Sequence, residues 1–148
     1  MGLVTGTVDS VADLKRFVDS QDAEGTYERA LAELRAGHKT SHWMWFVFPQ
    51  IAGLGASPMA QRYAIESIEE ARAYLDHPVL GPRLRDAAAA LTAHPGDDAE
   101  PILGAVDAMK LRSSMTLFSL AAPQEPVFTD VLAQYFRGEL DPATTRRV

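Results

Sequence analysis

Two short stretches of the 148-residue chain set polar, chemically useful side chains against apolar ones. The first is His42-Trp43-Met44-Trp45-Phe46-Val47-Phe48-Pro49-Gln50, where two indoles and four other apolar side chains are bracketed by an imidazole and an amide. Small-molecule pockets are lined in this way, by an apolar slot with a few polar tips. His42 is also a side chain able to move a proton near neutral pH. The second stretch is Lys110-Leu111-Arg112-Ser113-Ser114-Met115. On a helix Lys110, Ser113 and Ser114 share a face, so one phosphate could meet all three. Cations in the first turns of a helix oppose its dipole, and call for an anionic ligand or a neighbouring carboxylate. Each stretch also has a plain reading: the aromatics supply core volume, His42 is a hydrogen-bonded structural residue, and the serines bond back to their own helix with Lys110 in water.

Gly53-Leu54-Gly55-Ala56-Ser57-Pro58 places glycines before a helix start, where free backbone N–H groups favour an anion. It matches neither a dinucleotide fingerprint, since Pro58 stands where glycine is needed, nor a P-loop, and it reads equally well as a turn. His38, His42, His77 and His94 form no metal-binding pair, because Gly37 and Ser41 interrupt any helix joining the first two. With no cysteine there is no disulfide, thiolate ligand or thiol nucleophile. Neither a metal nor a cofactor is expected, and no nucleophile-elbow pattern appears.

The elements that must position these groups are helices. Ser10 with Asp13 resembles an N-cap, after which Val11, Leu14, Phe17 and Val18 share a face. Thr26 is expected to cap a second helix that carries Tyr27, Ala30, Leu31 and Leu34 inward and stops at Gly37. Ser57-Pro58 starts a helix through about Ala64, and Ser67 with Glu70 starts another that ends near His77 because Pro78 cannot continue it. Pro82 lies just inside an alanine-rich helix that stops before Pro95-Gly96. Asp107 is expected to cap Ala108 to Ala121, whose Met109, Leu111, Met115, Leu117, Phe118 and Leu120 are too many for one narrow stripe and mark a central helix. Phe128, Val131, Leu132, Tyr135 and Phe136 recur at helical spacing before Gly138, and Asp141-Pro142 opens a last turn. The aromatic run does not arbitrate between helix and strand.

No segment alternates with period two, and neither a repeat nor a low-complexity linker divides the chain. The expected fold is therefore mainly α: one domain over residues 1–148, a bundle of seven or eight short helices around one core, with 1–9 and 143–148 loosely packed. Hydrophobic residues at 47% and charged residues at 23% fit a folded globule. A net charge of −6 disfavours nucleic acid and anionic membranes as partners. The start of the chain lacks a secretory pattern, and Gly6 stands where a myristoylation signal needs Ser or Thr. The longest apolar run has six residues, against about 20 for a membrane-spanning helix. The cytoplasm is the expected compartment.

As ordered strings of uncommon residues, the run from His42 to Gln50, Gly53-Leu54-Gly55-Ala56-Ser57, Arg62-Tyr63-Ala64-Ile65, the stretch from Glu70 to Leu84 and the one from Lys110 to Phe118 are highly specific. On them the chain, from about Asp13 to Asp141, resembles a bacterial family known as domain of unknown function 1810, some of whose members carry the label calpastatin. The resemblance implies a mainly helical fold and no particular activity. Where members often have Gly-Arg-Lys-Arg, this chain has Gly37-His38-Lys39-Thr40, which thins any basic patch there. The label implies an inhibitor that is repetitive and unfolded until bound, which a chain with no repeats and a full complement of core residues contradicts.

Two functional expectations follow. One is a pocket for a small anionic ligand of nucleotide or sugar-phosphate type: stacking from Trp43 or Trp45, charge from Arg62, Lys110 or Arg112, and hydrogen bonds from His42, Gln50, Tyr63, Ser113 and Ser114. If that pocket is catalytic, His42 is its acid or base, in hydrolysis or group transfer. The other is a protein-interaction or regulatory module without a catalytic site, its aromatic run in the core.

Overall fold

In the computed structural model, which describes residues 14–148, local sequence signals account for most of the helix ends. Helix α1 runs through residues 14–22 and turns by way of a 3-10 segment, Ala23–Gly25, into α2 (Thr26–Ala36). Leu14 and Phe17 are buried as their spacing requires, whereas Ser10, Val11 and Asp13 lie outside the described residues. Thr26 is not the cap expected of it: Gly25, in the left-handed region, occupies the N-cap, and the Thr26 hydroxyl donates to the Ala23 carbonyl instead. Gly37 ends α2 at φ 79°, a backbone angle that a side chain resists.

The aromatic run resolves into a single turn, α3 (Met44–Val47), followed by extended chain. There Ile51 forms a parallel bridge with Ile65, the one such pairing among the described residues. Then come α4 (Pro58–Arg62), capped by the Ser57 hydroxyl on the Ala60 N–H, and α5 (Ile68–Asp76), capped by Ser67 on the Glu70 N–H. The Glu70 carboxylate does not close the capping box on Ser67; it accepts the Glu66 N–H at 3.2 Å. His77 ends α5, and its Nδ1 accepts the Val79 and Leu80 N–H groups at the start of α6 (Leu80–Thr92).

A further single turn, α7 (Glu100–Leu103), leads through Gly104 into α8 (Ala105–Ala121), and α9 (Pro126–Phe136) and α10 (Pro142–Thr145) complete the chain. Helix α8 begins a turn before the expected start because Gly104 supplies the break, so Asp107 lies inside the helix and its carboxylate is free to serve other residues. The single-turn helices come in addition to the longer ones whose periodicity is visible in the sequence.

Helix α8 is central, packed against α5, α7, α9 and α10, and α6 closes the other side against α2, α5 and α9. Aromatic rings thread this core: Phe17 meets Tyr74 edge-on at 5.2 Å, Tyr74 meets Phe118 at 5.4 Å, and Phe118 meets Phe128 at 5.9 Å. The chain is thus mainly helical, around one core. Of residues 143–148, expected to pack loosely, Thr144 is fully buried and donates to Asp141, and Arg147 donates to the Ala143 and Gly53 carbonyls; Arg146 and Val148 are exposed. No helix of the described residues is long and apolar enough to cross a membrane.

Candidate ligand-binding groove

Along α8 the residues Val106, Met109, Lys110 and Ser113 stand at i, i+3, i+4 and i+7 and therefore form one stripe, turned away from the face that buries Ala108, Leu111, Met115 and Phe118. With this stripe, Trp45, Gln50, the loop Leu54–Ser57, Ala60, Arg112, Asp141 and Ala143 line one site. Between them is an open groove of about 420 Å³, within the range of small-molecule sites. Its rim includes Met109, 73% exposed, and Val106, 67% exposed. Met109 is therefore not the core residue expected: among the described residues, it and Val106 stand exposed at the groove.

Three charged side chains line the groove. The ammonium of Lys110 lies 4.9 Å from the ring centroid of Trp45 and 3.6 Å from Asp107. Asp107 also pairs with Lys39 at 3.0 Å, and Lys39 in turn lies over Trp43 at 5.0 Å. The cation opposing the helix dipole thus has its carboxylate partner. Arg112 is spent on fastening the 139–141 segment, through the carbonyls of Glu139 at 3.1 Å and Leu140 at 2.8 Å. Asp141 accepts hydrogen bonds from Ser113 at 2.8 Å and Thr144 at 2.6 Å. Burial pushes its pKa up, but these bonds, the Ala143 N–H and the charge of Arg112 outweigh it and hold the carboxyl below its usual value.

Of the side chains singled out from the sequence, Trp45, Gln50, Lys110, Arg112 and Ser113 meet in this groove. The others do not. Trp43 is fully buried, with its indole N–H donating to Glu33, so it has no face for a ligand. Tyr63 is buried and shares a hydrogen bond with Ser20, while Arg62 lies over the Tyr63 ring. Ser114 faces the core, where its hydroxyl has no partner among the described residues. His42 is exposed and forms no part of the groove wall, which removes the acid or base expected there. Leu54, Gly55, Ala56 and Ser57, from the glycine loop weighed as an anion site, also line the groove, whereas Val106, Asp141 and Ala143 were not singled out for a site. The i, i+3, i+4, i+7 pattern on α8 was the available signal for Val106, whereas nothing local marks Asp141 as facing α8. Among the described residues, no group of three His, Asp or Glu side chains is placed to hold a metal ion.

Fold and groove together define a small, mainly helical, single-domain protein with one face of its central helix left open. Over residues 11–148 the chain matches the model of a protein family of unknown function, DUF1810, and it belongs to that family. It is similar to the crystal structure of the conserved hypothetical protein Rv1873 from Mycobacterium tuberculosis, with 49% identity and a TM-score of 0.87 over 90% of this chain and 94% of that one. No curated protein matches it.

Proposed function

We propose that the groove binds a small anionic ligand, with Lys110 as the anion's partner and Trp45 beside it. The observation that carries this reading is the position of the Lys110 ammonium: above an indole, on the wall of an apolar groove, with its own carboxylate partner at the long distance of 3.6 Å. A partly buried ammonium makes charge-assisted hydrogen bonds to an anion, and its counter-charge Asp107 is shared with Lys39. Gln50 and Ser113 supply the polar tips.

Thermal-shift screening with nucleotides, sugar phosphates and small organic acids tests this. A ligand at 100 times its Kd adds about 2.7 kcal/mol of stability, a rise of roughly 5–10 °C for a chain of this size. The expected result is such a rise with at least one anion, abolished in Lys110→Ala. No rise with any of them, or a rise that survives the substitution, would sink the proposal. The exposure of Val106 and Met109 favours a second reading, a protein-interaction module. Such a module would show no Lys110-dependent response to small anions.

A further inference from the structure

Resting on the groove as an anion site, we infer that its ligand class is the single-headed monoanion: a carboxylate carried on an apolar or aromatic body, rather than a nucleotide or other polyphosphate. The charges on the wall decide this. Arg112 is committed to the Glu139 and Leu140 carbonyls, and its guanidinium lies 3.8 Å from the Glu139 carboxylate. Lys110 remains, and its charge is only partly its own. Asp107 stands between Lys110 and Lys39, so the three groups together leave a single positive charge to be matched from the groove side. Asp141 also lines the groove, an ionised carboxylate that repels a second anionic group. The remaining surface is mostly apolar, with Leu54, Val106 and Met109 on it. A triphosphate reaching past Lys110 would set further charges against these apolar side chains or against Asp141, with Arg112 already engaged by the Glu139 and Leu140 oxygens. A carboxylate on Lys110 with its body along Leu54, Val106 and Met109 matches the surplus charge of the Lys39, Asp107 and Lys110 group and sets no second charge on the wall.

Isothermal titration with octanoate, 4-phenylbutyrate, the amides of both, octyl phosphate, glucose 6-phosphate and ATP tests the inference, each variant being checked first for an unaltered melting transition. The carboxylates are expected to bind at least tenfold more tightly than their amides and than ATP or glucose 6-phosphate. Lys110→Gln is expected to erase the advantage of carboxylate over amide. Asp107→Asn, which strips the shared counter-charge, is expected to raise the affinity of octyl phosphate more than that of octanoate. Amides that bind as well as their acids overturn the inference, as does octyl phosphate binding more tightly than octanoate to the unaltered protein. Tight, Lys110-dependent binding of ATP or glucose 6-phosphate overturns it while leaving the groove an anion site. Lack of Lys110-dependent binding by every probe overturns both.

Discussion

The indole N–H of Trp43 donates to the Glu33 carboxylate across 3.0 Å, inside the core. The same carboxylate accepts the Thr40 N–H, the Ser41 N–H and the Ser41 hydroxyl, so four donors from the segment before α3 converge on one side chain of α2. Burial alone would push the Glu33 pKa up, but the four hydrogen bonds outweigh it and bring it down to about 2. Because the folded value lies below the unfolded one, near 4.5, the stabilisation is fully present above about pH 4.5 and is lost as pH falls toward 2. It amounts to roughly 3 kcal/mol. Glu33→Gln puts an amide NH2 among donors; it is expected to lower stability by about 2–4 kcal/mol at pH 7 and to flatten the loss between pH 4.5 and 2. Urea titrations across that range check both, and an unchanged pH dependence in the variant would contradict the assignment.

The two tryptophans differ in access to solvent: Trp43 is fully buried, while Trp45 is half-buried at the groove. Acrylamide is expected to quench Trp45 selectively, leaving a shielded component. Trp45→Phe should abolish the quenchable component, measured as a Stern–Volmer slope close to zero. A steep slope in that variant would show Trp43 reachable by solvent.

Ser114 carries a hydroxyl in the core without a partner among the described residues. A buried polar group without a hydrogen bond is costly, and alanine is the better helix former. Ser114→Ala is therefore expected to leave stability unchanged or raise it by up to about 1 kcal/mol, with no effect on any groove ligand. A loss above 1 kcal/mol by denaturant titration would mean that the hydroxyl is satisfied.

Gly53 has φ 95°, and a Cβ there would stand 2.8 Å from Nε of Arg147, which also donates to the Gly53 carbonyl. Gly53→Ala is expected to cost about 1–3 kcal/mol, mostly through the backbone. Pairing it with Arg147→Ala relieves the clash but not the angle, so the double variant should recover only a fraction of the loss. Full recovery in a thermal melt would assign the cost to Arg147 alone.

What the sequence makes legible follows the range of the interactions involved. Ser57, Ser67 and Gly37 act on groups within three or four residues, and each ends or starts its helix as read. Thr26 and Asp107 have the same local look, but a left-handed Gly25 and a break at Gly104 pre-empt them. The fate of the aromatic run depends on Glu33, Ile65 and Gln21, residues that no window around Trp43 contains; Gln21 donates to the Phe46 carbonyl at 2.7 Å. Both polar-on-apolar clusters contribute to the groove wall, through Trp45 and Gln50 on one side and Lys110, Arg112 and Ser113 on the other. Which indole of two reaches the groove, and which serine of two, is set by tertiary packing: Trp43 and Ser114 lie fully buried in the core, and their residue types carry no mark of it.

The groove draws its walls from residues near 45–60, 106–113 and 141–143, and the Arg147–Gly53 bond that pins its loop spans 94 positions of the chain. The α5–α6, α7–α8 and α8–α9 pairs join consecutive helices, whereas this closure joins far more distant segments and carries a larger loop entropy than those pairs. The groove therefore depends on contacts between distant segments and not on the helices alone. A compact chain with every helix formed but this closure open would lack the groove.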